Sequence, residues 1–172
     1  MEVYGFTLLE EVLNPEEVSH LKECLIRCYE RTGHEQNFMG TAGHVSNLPA
    51  QDPAFFFLLD HPKTLPILEA ILGKNLILGS LNARIARPDD GEQGFHTDIG
   101  VELLNLVSPV MCNTVWMLDD FSPRNGSTRI VPGSHKSGMA GPPTDFKVQH
   151  VFQVTAKAGS VLVFNGQCWH AG

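Results

Sequence analysis

The spacing of apolar residues changes near residue 75, and this change constrains the fold more than any other feature of the chain. Before it, Asn14-Pro15-Glu16-Glu17 has a helix cap, a proline at the first helical position and a glutamate three residues after the cap. Val18, Leu21, Leu25 and Cys28 follow at helical spacing. After residue 75, short apolar runs alternate with turn residues, which is typical of strands.

Helices followed by many short strands predict an α+β fold with a double-sheet barrel. We expect one domain over residues 1–172, with a mainly helical part over 1–74 and a barrel core over 75–172. In the helical part we expect the first helix to end at Gly33, a loop or lid over 34–51, and helices that end near Leu59 and Leu72. The predicted strands span residues 2–9, 76–80, 81–87, 101–106, 109–118, 128–131, 148–155 and 160–164.

Composition excludes several classes of partner. The net charge is −7, and the chain has no basic stripe, which argues against nucleic-acid binding and against anionic membrane surfaces. No apolar run approaches the roughly 20 residues of a membrane span, and the N-terminus lacks the pattern of a signal peptide. We therefore expect a cytoplasmic protein with reduced thiols at Cys24, Cys28, Cys112 and Cys168. The sequence leaves the oligomeric state open.

His96-Thr97-Asp98 and the distant His170 suggest a metal site. Side chains two apart on a strand point the same way, so His96 and Asp98 share a face. With His170 they form a 2-His-1-carboxylate set, which leaves open coordination positions and is typical of non-haem Fe(II) oxygenases. A structural zinc site would want four protein ligands. Zinc hydrolysis stays open, because histidine and aspartate also bind zinc.

Four motifs together resemble the phytanoyl-CoA dioxygenase family. They are Phe95-His-Thr-Asp98, Trp116-Met-Leu-Asp-Asp-Phe-Ser-Pro-Arg-Asn-Gly126, Ile130-Val-Pro-Gly-Ser-His135, and Gly159-Ser-Val-Leu-Val-Phe164 followed by Trp169-His170. The resemblance is good over residues 75–172. It implies a double-stranded β-helix, or cupin-like jelly roll, and an oxygenase that uses Fe(II), 2-oxoglutarate and O2 on a small organic substrate. It also implies that His96, Asp98 and His170 are the catalytic metal ligands.

The resemblance further suggests residues that bind the cosubstrate. The matching tryptophan of the family lines the cosubstrate pocket, so Trp116 is expected to pack against 2-oxoglutarate and Thr114, on the same strand face, to donate a hydrogen bond to it. Asn82, on an earlier predicted strand, is a third candidate. Adjacent Asp119 and Asp120 are not an acid/base pair, because neighbouring strand residues face opposite ways.

One feature departs from the family pattern. Family members carry an arginine one strand beyond the distal histidine, where it binds the far carboxylate of 2-oxoglutarate, and this sequence ends at Gly172. Arg84, Arg87 or Arg129 are possible substitutes. We expect a chain that lacks its last strand or strands, is less stable than an extended form, and binds 2-oxoglutarate weakly. A non-catalytic cupin-like binding module and a metal-dependent hydrolase or isomerase therefore remain alternatives.

Overall fold

The computed structural model describes residues 1–32, 43–88 and 91–172. In it the chain divides into two compact units. The sheet unit comprises Met1–Val12 and Glu92–Gly172, and the helical unit comprises Leu13–Gly91. The mixed helix-and-sheet class predicted from the sequence is confirmed. The single oxygenase-like domain stays a prediction.

The described elements follow one another in an order that matches the predicted change from helices to strands. They are β1 (Phe6–Leu9), α1 (Pro15–Thr32), β2 (Gly43–Val45), α2 (Leu48–Gln51), a 3-10 helix (Pro53–Leu58), α3 (Leu65–Leu72), β3 (Ala83–Ile85), a 3-10 turn (Val101–Leu103), β4 (Cys112–Trp116), β5 (Arg129–Ile130), a 3-10 turn (Ser134–Lys136), β6 (Phe152–Gln153), β7 (Val161–Asn165) and β8 (His170–Ala171). No helix among these residues is both long and apolar enough to cross a membrane.

The start of α1 is the capping box that the sequence predicts. The Asn14 amide donates to Glu17 Oε2 at 2.8 Å, and the Glu17 amide donates to Asn14 Oδ1 at 2.9 Å. Leu21, Cys24 and Cys28 form the buried face of the helix. The predicted stop at Gly33 lies outside the described residues.

The prediction of a loop over 34–51 is wrong where the structure describes it. β2 pairs with β3 in an antiparallel two-stranded sheet, and α2 follows directly. Gly43 permits this pairing, because a Cβ there would lie 2.9 Å from the ring of Tyr29. Residues 34–42 lie outside the described part of the chain. The predicted strands over 76–80 and 81–87 shorten to β3 alone.

The sheet unit contains two three-stranded antiparallel sheets, with strand orders β1-β7-β4 and β6-β5-β8. Strand β7 is central in the first sheet, and all five of its residues are buried, as expected for its continuous apolar run. Its Leu162 and Phe164 belong to a core with Met117, Ile130, Val154, Ala156 and Cys168. The closed jelly roll stays a prediction.

The predicted strand over 101–106 is wrong, because this segment makes 3-10 hydrogen bonds instead. The Leu103 amide donates to the Gly100 carbonyl at 3.0 Å, and the Leu106 amide donates to the Leu103 carbonyl at 3.2 Å. Leu104 is buried, whereas Val101 is 69% exposed. A half-buried strand would have a buried side chain at every second position, and this segment has only one.

Candidate metal centre

Backbone hydrogen bonds bring together the three residues of the predicted ligand set. His96 and His170 exchange both backbone hydrogen bonds, at 3.1 and 3.0 Å, in an isolated antiparallel bridge. The Asp98 amide donates to the carbonyl of Gly166 at 3.0 Å, in the turn that leads to His170. The segment from Gly94 to Asp98 therefore runs beside the chain end that carries His170.

The side chains of His96, Asp98 and His170 converge within this backbone frame. One ligand atom from each lies within 4.8 Å of the others. Asp98 Oδ2 is 3.1 Å from His170 Nε2, and Asp98 Oδ1 is 3.6 Å from His96 Nε2. Neighbouring ligands on one face of an octahedral first-row metal site are about 3 Å apart. The two separations from Asp98 are near that value and all ligand atoms lie within 4.8 Å of one another, so the three side chains could hold one ion.

Each imidazole is oriented by a backbone carbonyl next to Nδ1, the ring nitrogen that does not face Asp98. His96 Nδ1 is 2.9 Å from the Gly94 carbonyl, and His170 Nδ1 is 3.0 Å from the Cys168 carbonyl. A carbonyl can only accept, so Nδ1 carries the proton of each neutral ring and Nε2 keeps its lone pair. This is the outer hydrogen bond that metal-binding histidines usually make. The donor set thus suits a divalent cation.

The environment of Asp98 keeps its carboxylate ionised. Burial alone would raise the pKa of Asp98. When the two imidazoles are protonated, as they can be without a metal on Nε2, the hydrogen bonds and charges of His170 and His96 lower this pKa by more, to well below its usual range. The Asp98 carboxylate is therefore negatively charged at neutral pH, which is the form that binds metal ions. The Asp98 side chain is 36% exposed and that of His170 is 10% exposed, so small molecules can approach from the Asp98 side.

Asn113 is a site residue that the sequence analysis missed. Its Nδ2 donates to Asp98 Oδ2 at 2.7 Å, from the second position of β4. Its partner across the strands is Phe164 of β7, whose ring centroid is 4.6 Å from that of His170. The sequence gives no clear signal for Asn113, because its place on the face of Val115 and Met117 becomes informative only once these residues are seen to pack in the core.

The predicted cosubstrate residues on β4 lie on its other face. Side chains alternate along β4, so Thr114 and Trp116 lie on the face opposite to Asn113. There Trp116 Nε1 donates to Thr114 Oγ1 at 3.1 Å. Asn82 lies in the helical unit, where it accepts from the Asn47 amide at 2.8 Å. The cosubstrate role of Thr114, Trp116 and Asn82 stays a prediction.

Two of the three arginines considered as carboxylate partners, Arg129 and Arg87, have other contacts. Arg129 donates to Glu92 at 2.8 Å and to the Gln93 carbonyl at 3.1 Å. It precedes Ile130, the core residue that pairs with His170, so Arg129 lies on the opposite face of β5. Arg84 and Arg87 belong to the helical unit, where Arg87 stacks on the Tyr29 ring.

Taken together, two imidazole nitrogens, one carboxylate and an accessible side form a candidate metal site of the 2-His-1-carboxylate class. A sequence model of the phytanoyl-CoA dioxygenase (PhyH) family matches residues 1–172. The chain belongs to this family, and the resemblance seen in the sequence is confirmed.

Curated relatives agree with the family assignment. The uncharacterised protein Rv1501 of Mycobacterium tuberculosis is 28% identical over 179 residues, which cover 97% of this chain and 64% of that protein. Dioxygenase af480 of Aspergillus fumigatus is 29% identical over 127 residues, which cover 73% of this chain and 41% of that protein. The chain thus spans less than two thirds of the length of these relatives.

Solved structures share the fold. HygX from Streptomyces hygroscopicus, crystallised with nickel and 2-oxoglutarate, has a TM-score of 0.75 at 22% identity, covering 99% of this chain and 76% of its own. SnoK, a non-haem α-ketoglutarate-dependent carbocyclase from nogalamycin biosynthesis, has a TM-score of 0.77 at 20% identity, covering 98% of this chain and 72% of its own. At these identities the likeness shows the fold alone.

Proposed function

We propose that this chain carries the metal centre of a non-haem Fe(II), 2-oxoglutarate-dependent oxygenase that hydroxylates or otherwise oxidises a small organic substrate. The observation that carries the proposal is the convergence of His96, Asp98 and His170 with both imidazole Nε2 atoms directed inward. Family membership and the metal and 2-oxoglutarate bound in HygX support the choice of cofactor and cosubstrate. The jelly-roll closure of the sheets is part of this proposal.

Three side chains would hold the iron, each with a defined task. Asp98 supplies the negative charge that offsets part of the charge of a divalent cation. The carbonyls of Gly94 and Cys168 fix the proton on Nδ1 of His96 and His170, so that Nε2 is ready to bind without rotation of the ring. Bound Fe(II) would supply the redox chemistry that couples decarboxylation of 2-oxoglutarate to oxidation of the substrate.

The ring of Phe164 keeps the buried side of this centre apolar. It lies against His170, and Phe164 is only 2% exposed. Water is thereby excluded behind the His170 imidazole, while Asp98 remains accessible in front. We propose that the cosubstrate and the substrate reach the metal from the accessible side.

Succinate release tests this function without knowledge of the substrate. The purified chain is incubated with Fe(II), ascorbate, O2 and 2-oxoglutarate, and succinate is measured against time. We expect slow release from the wild type and from Asp145→Ala, which alters an exposed carboxylate, and loss of release in Asp98→Ala. The proposal is contradicted if the wild type and Asp98→Ala release succinate at the same rate and this rate is higher than that of Fe(II) without protein.

The succinate assay, together with metal analysis of the purified chain and calorimetric titration with 2-oxoglutarate, distinguishes the alternatives left open by the sequence. A wild type that binds iron and 2-oxoglutarate but releases no succinate is a binding module and not an oxygenase. A wild type that copurifies with zinc, and shows no binding of 2-oxoglutarate by calorimetry, favours a hydrolase or isomerase on the same ligand set.

A further inference from the structure

We infer that Asn113 is a positioning residue that occupies one oxygen of Asp98, so that this carboxylate binds a metal through its other oxygen only. The inference rests on the proposed function, because it concerns the number of coordination positions left open at the same centre. It assigns a role to a side chain that lies outside the ligand set.

The hydrogen bond from Asn113 is short and directed at one oxygen. Asn113 Nδ2 lies 2.7 Å from Asp98 Oδ2, and hydrogen bonds to ionised carboxylates are roughly twice as strong as those between neutral groups. This bond uses electron density that Oδ2 would otherwise offer to a cation. Asp98 Oδ2 also lies 3.1 Å from His170 Nε2, and Oδ1 lies 3.6 Å from His96 Nε2, so both oxygens are near the centre. Only Oδ2 shares its electron density with Asn113, which leaves Oδ1 as the better donor to a cation.

Strand pairing holds Asn113 in this position. Asn113 lies within β4, opposite Phe164 of the fully buried β7, and the paired backbone leaves its side chain little freedom to move away. The backbone of Asp98 is fixed separately by its hydrogen bond to Gly166. The donor and the acceptor are therefore both held against the same stretch of chain, the end of β7 and the turn that follows it.

The number of oxygens that Asp98 contributes decides what else the metal can bind. Of six octahedral positions, three single-atom ligands leave three open, and a two-oxygen carboxylate leaves two. A bidentate 2-oxoacid and O2 together need three. By restricting Asp98 to one oxygen, Asn113 would keep the third position open.

Counting the waters on a bound ion tests this inference without enzyme turnover. Mn(II) is added to the chain at concentrations that saturate each variant, and pulsed EPR in isotopically labelled water counts the water ligands. The variants are Asn113→Leu, which keeps the side-chain size but removes the donor, Asn113→Gln, which retains an amide, and Cys112→Ala, a control on the opposite face of β4.

We expect about three waters on Mn(II) in the wild type and in Cys112→Ala, and about two in Asn113→Leu. Asn113→Gln should recover part of the third water. About three waters in Asn113→Leu, or the same loss in Cys112→Ala, overturns the role of Asn113. A wild type that does not bind Mn(II) refutes the proposed metal centre itself, so the two failures are distinguishable. Circular dichroism of each variant verifies that the chain is folded.

Discussion

His96 and His170, which are 74 positions apart in the sequence, hydrogen-bond to each other through both backbone amides, at 3.1 and 3.0 Å. Their ring centroids lie 4.5 Å apart. A paired backbone fixes the separation of two side chains more firmly than loop contacts do. The geometry of the candidate metal centre is therefore set by strand pairing, and changes in the strands beside it should affect both stability and metal binding.

Removal of the Phe164 ring should be costly. Phe164 is 2% exposed, belongs to the core of the sheet unit and lies against His170. We expect Phe164→Ala to lower the free energy of unfolding by about 3–5 kcal/mol, because it leaves a cavity in the core. Urea denaturation measures the change. Phe56→Ala is the control at a 55% exposed phenylalanine, with an expected loss under about 1 kcal/mol. Equal losses in both variants would show that Phe164 is not a core residue.

The N-terminal segment should be intolerant of a side chain at Gly5. Gly5 has φ +84°, and a Cβ there would overlap Cys168 Sγ and His135 Nδ1. The strained backbone alone costs roughly 1–3 kcal/mol for a residue other than glycine, and the overlap adds to that cost. We expect a lower melting temperature for Gly5→Ala. Gly79→Ala, where nothing lies within 4 Å of the added Cβ, should melt close to the wild type. A Gly5→Ala melting temperature equal to that of the Gly79 variant rejects this packing.

Stability should fall in mild acid, in part because of His135. Burial lowers the pKa of His135 below its ordinary value of 6.5, although the carbonyl of Glu2 acts in the opposite direction. The unfolded chain then binds the proton more readily than the folded chain. His135 therefore stabilises the fold above about pH 6.5, and that contribution is lost as the pH falls through the lower folded pKa.

Melting temperatures between pH 7.5 and about pH 5, measured with EDTA present, check this prediction. His135→Gln cannot titrate in this range, so its melting temperature should decline less steeply than that of the wild type. His61 has a pKa that burial lowers in the same direction, so part of the decline should persist in the variant. Identical slopes for the two proteins would show that His135 does not contribute.

His96 and Asp98 could be predicted as a pair from the sequence because their i, i+2 spacing is local, whereas the distant His170 was joined to them by ligand type and by the family resemblance. The helix start at Asn14 could also be predicted, since a capping box is local and the structure shows both of its hydrogen bonds. The capping box and the i, i+2 spacing involve only residues close together in the sequence, so they can be read without knowing how distant strands pair.

The orientation of β4 could not be predicted in the same way. Its five residues, Cys112 to Trp116, are all half-buried, so neither face has a clear hydrophobic pattern. The choice between Asn113 and Thr114 as the residue that faces the candidate ligands depends on the register with β7. The wrong prediction of a strand after Gly100 has a related cause. Apolar residues in a surface 3-10 turn have the same composition as a buried strand.

Fe(II) binding is the most direct test of the candidate metal centre. Anaerobic calorimetric titration of the chain with Fe(II) should give one binding site in the wild type and in Asp145→Ala, the control at an exposed carboxylate. Asp98→Ala removes the anionic ligand and should weaken binding by more than about a hundredfold, since even outer hydrogen-bond partners of metal ligands account for 10–100-fold. Unchanged Fe(II) affinity in Asp98→Ala would contradict the assignment of His96, Asp98 and His170 as the metal ligands.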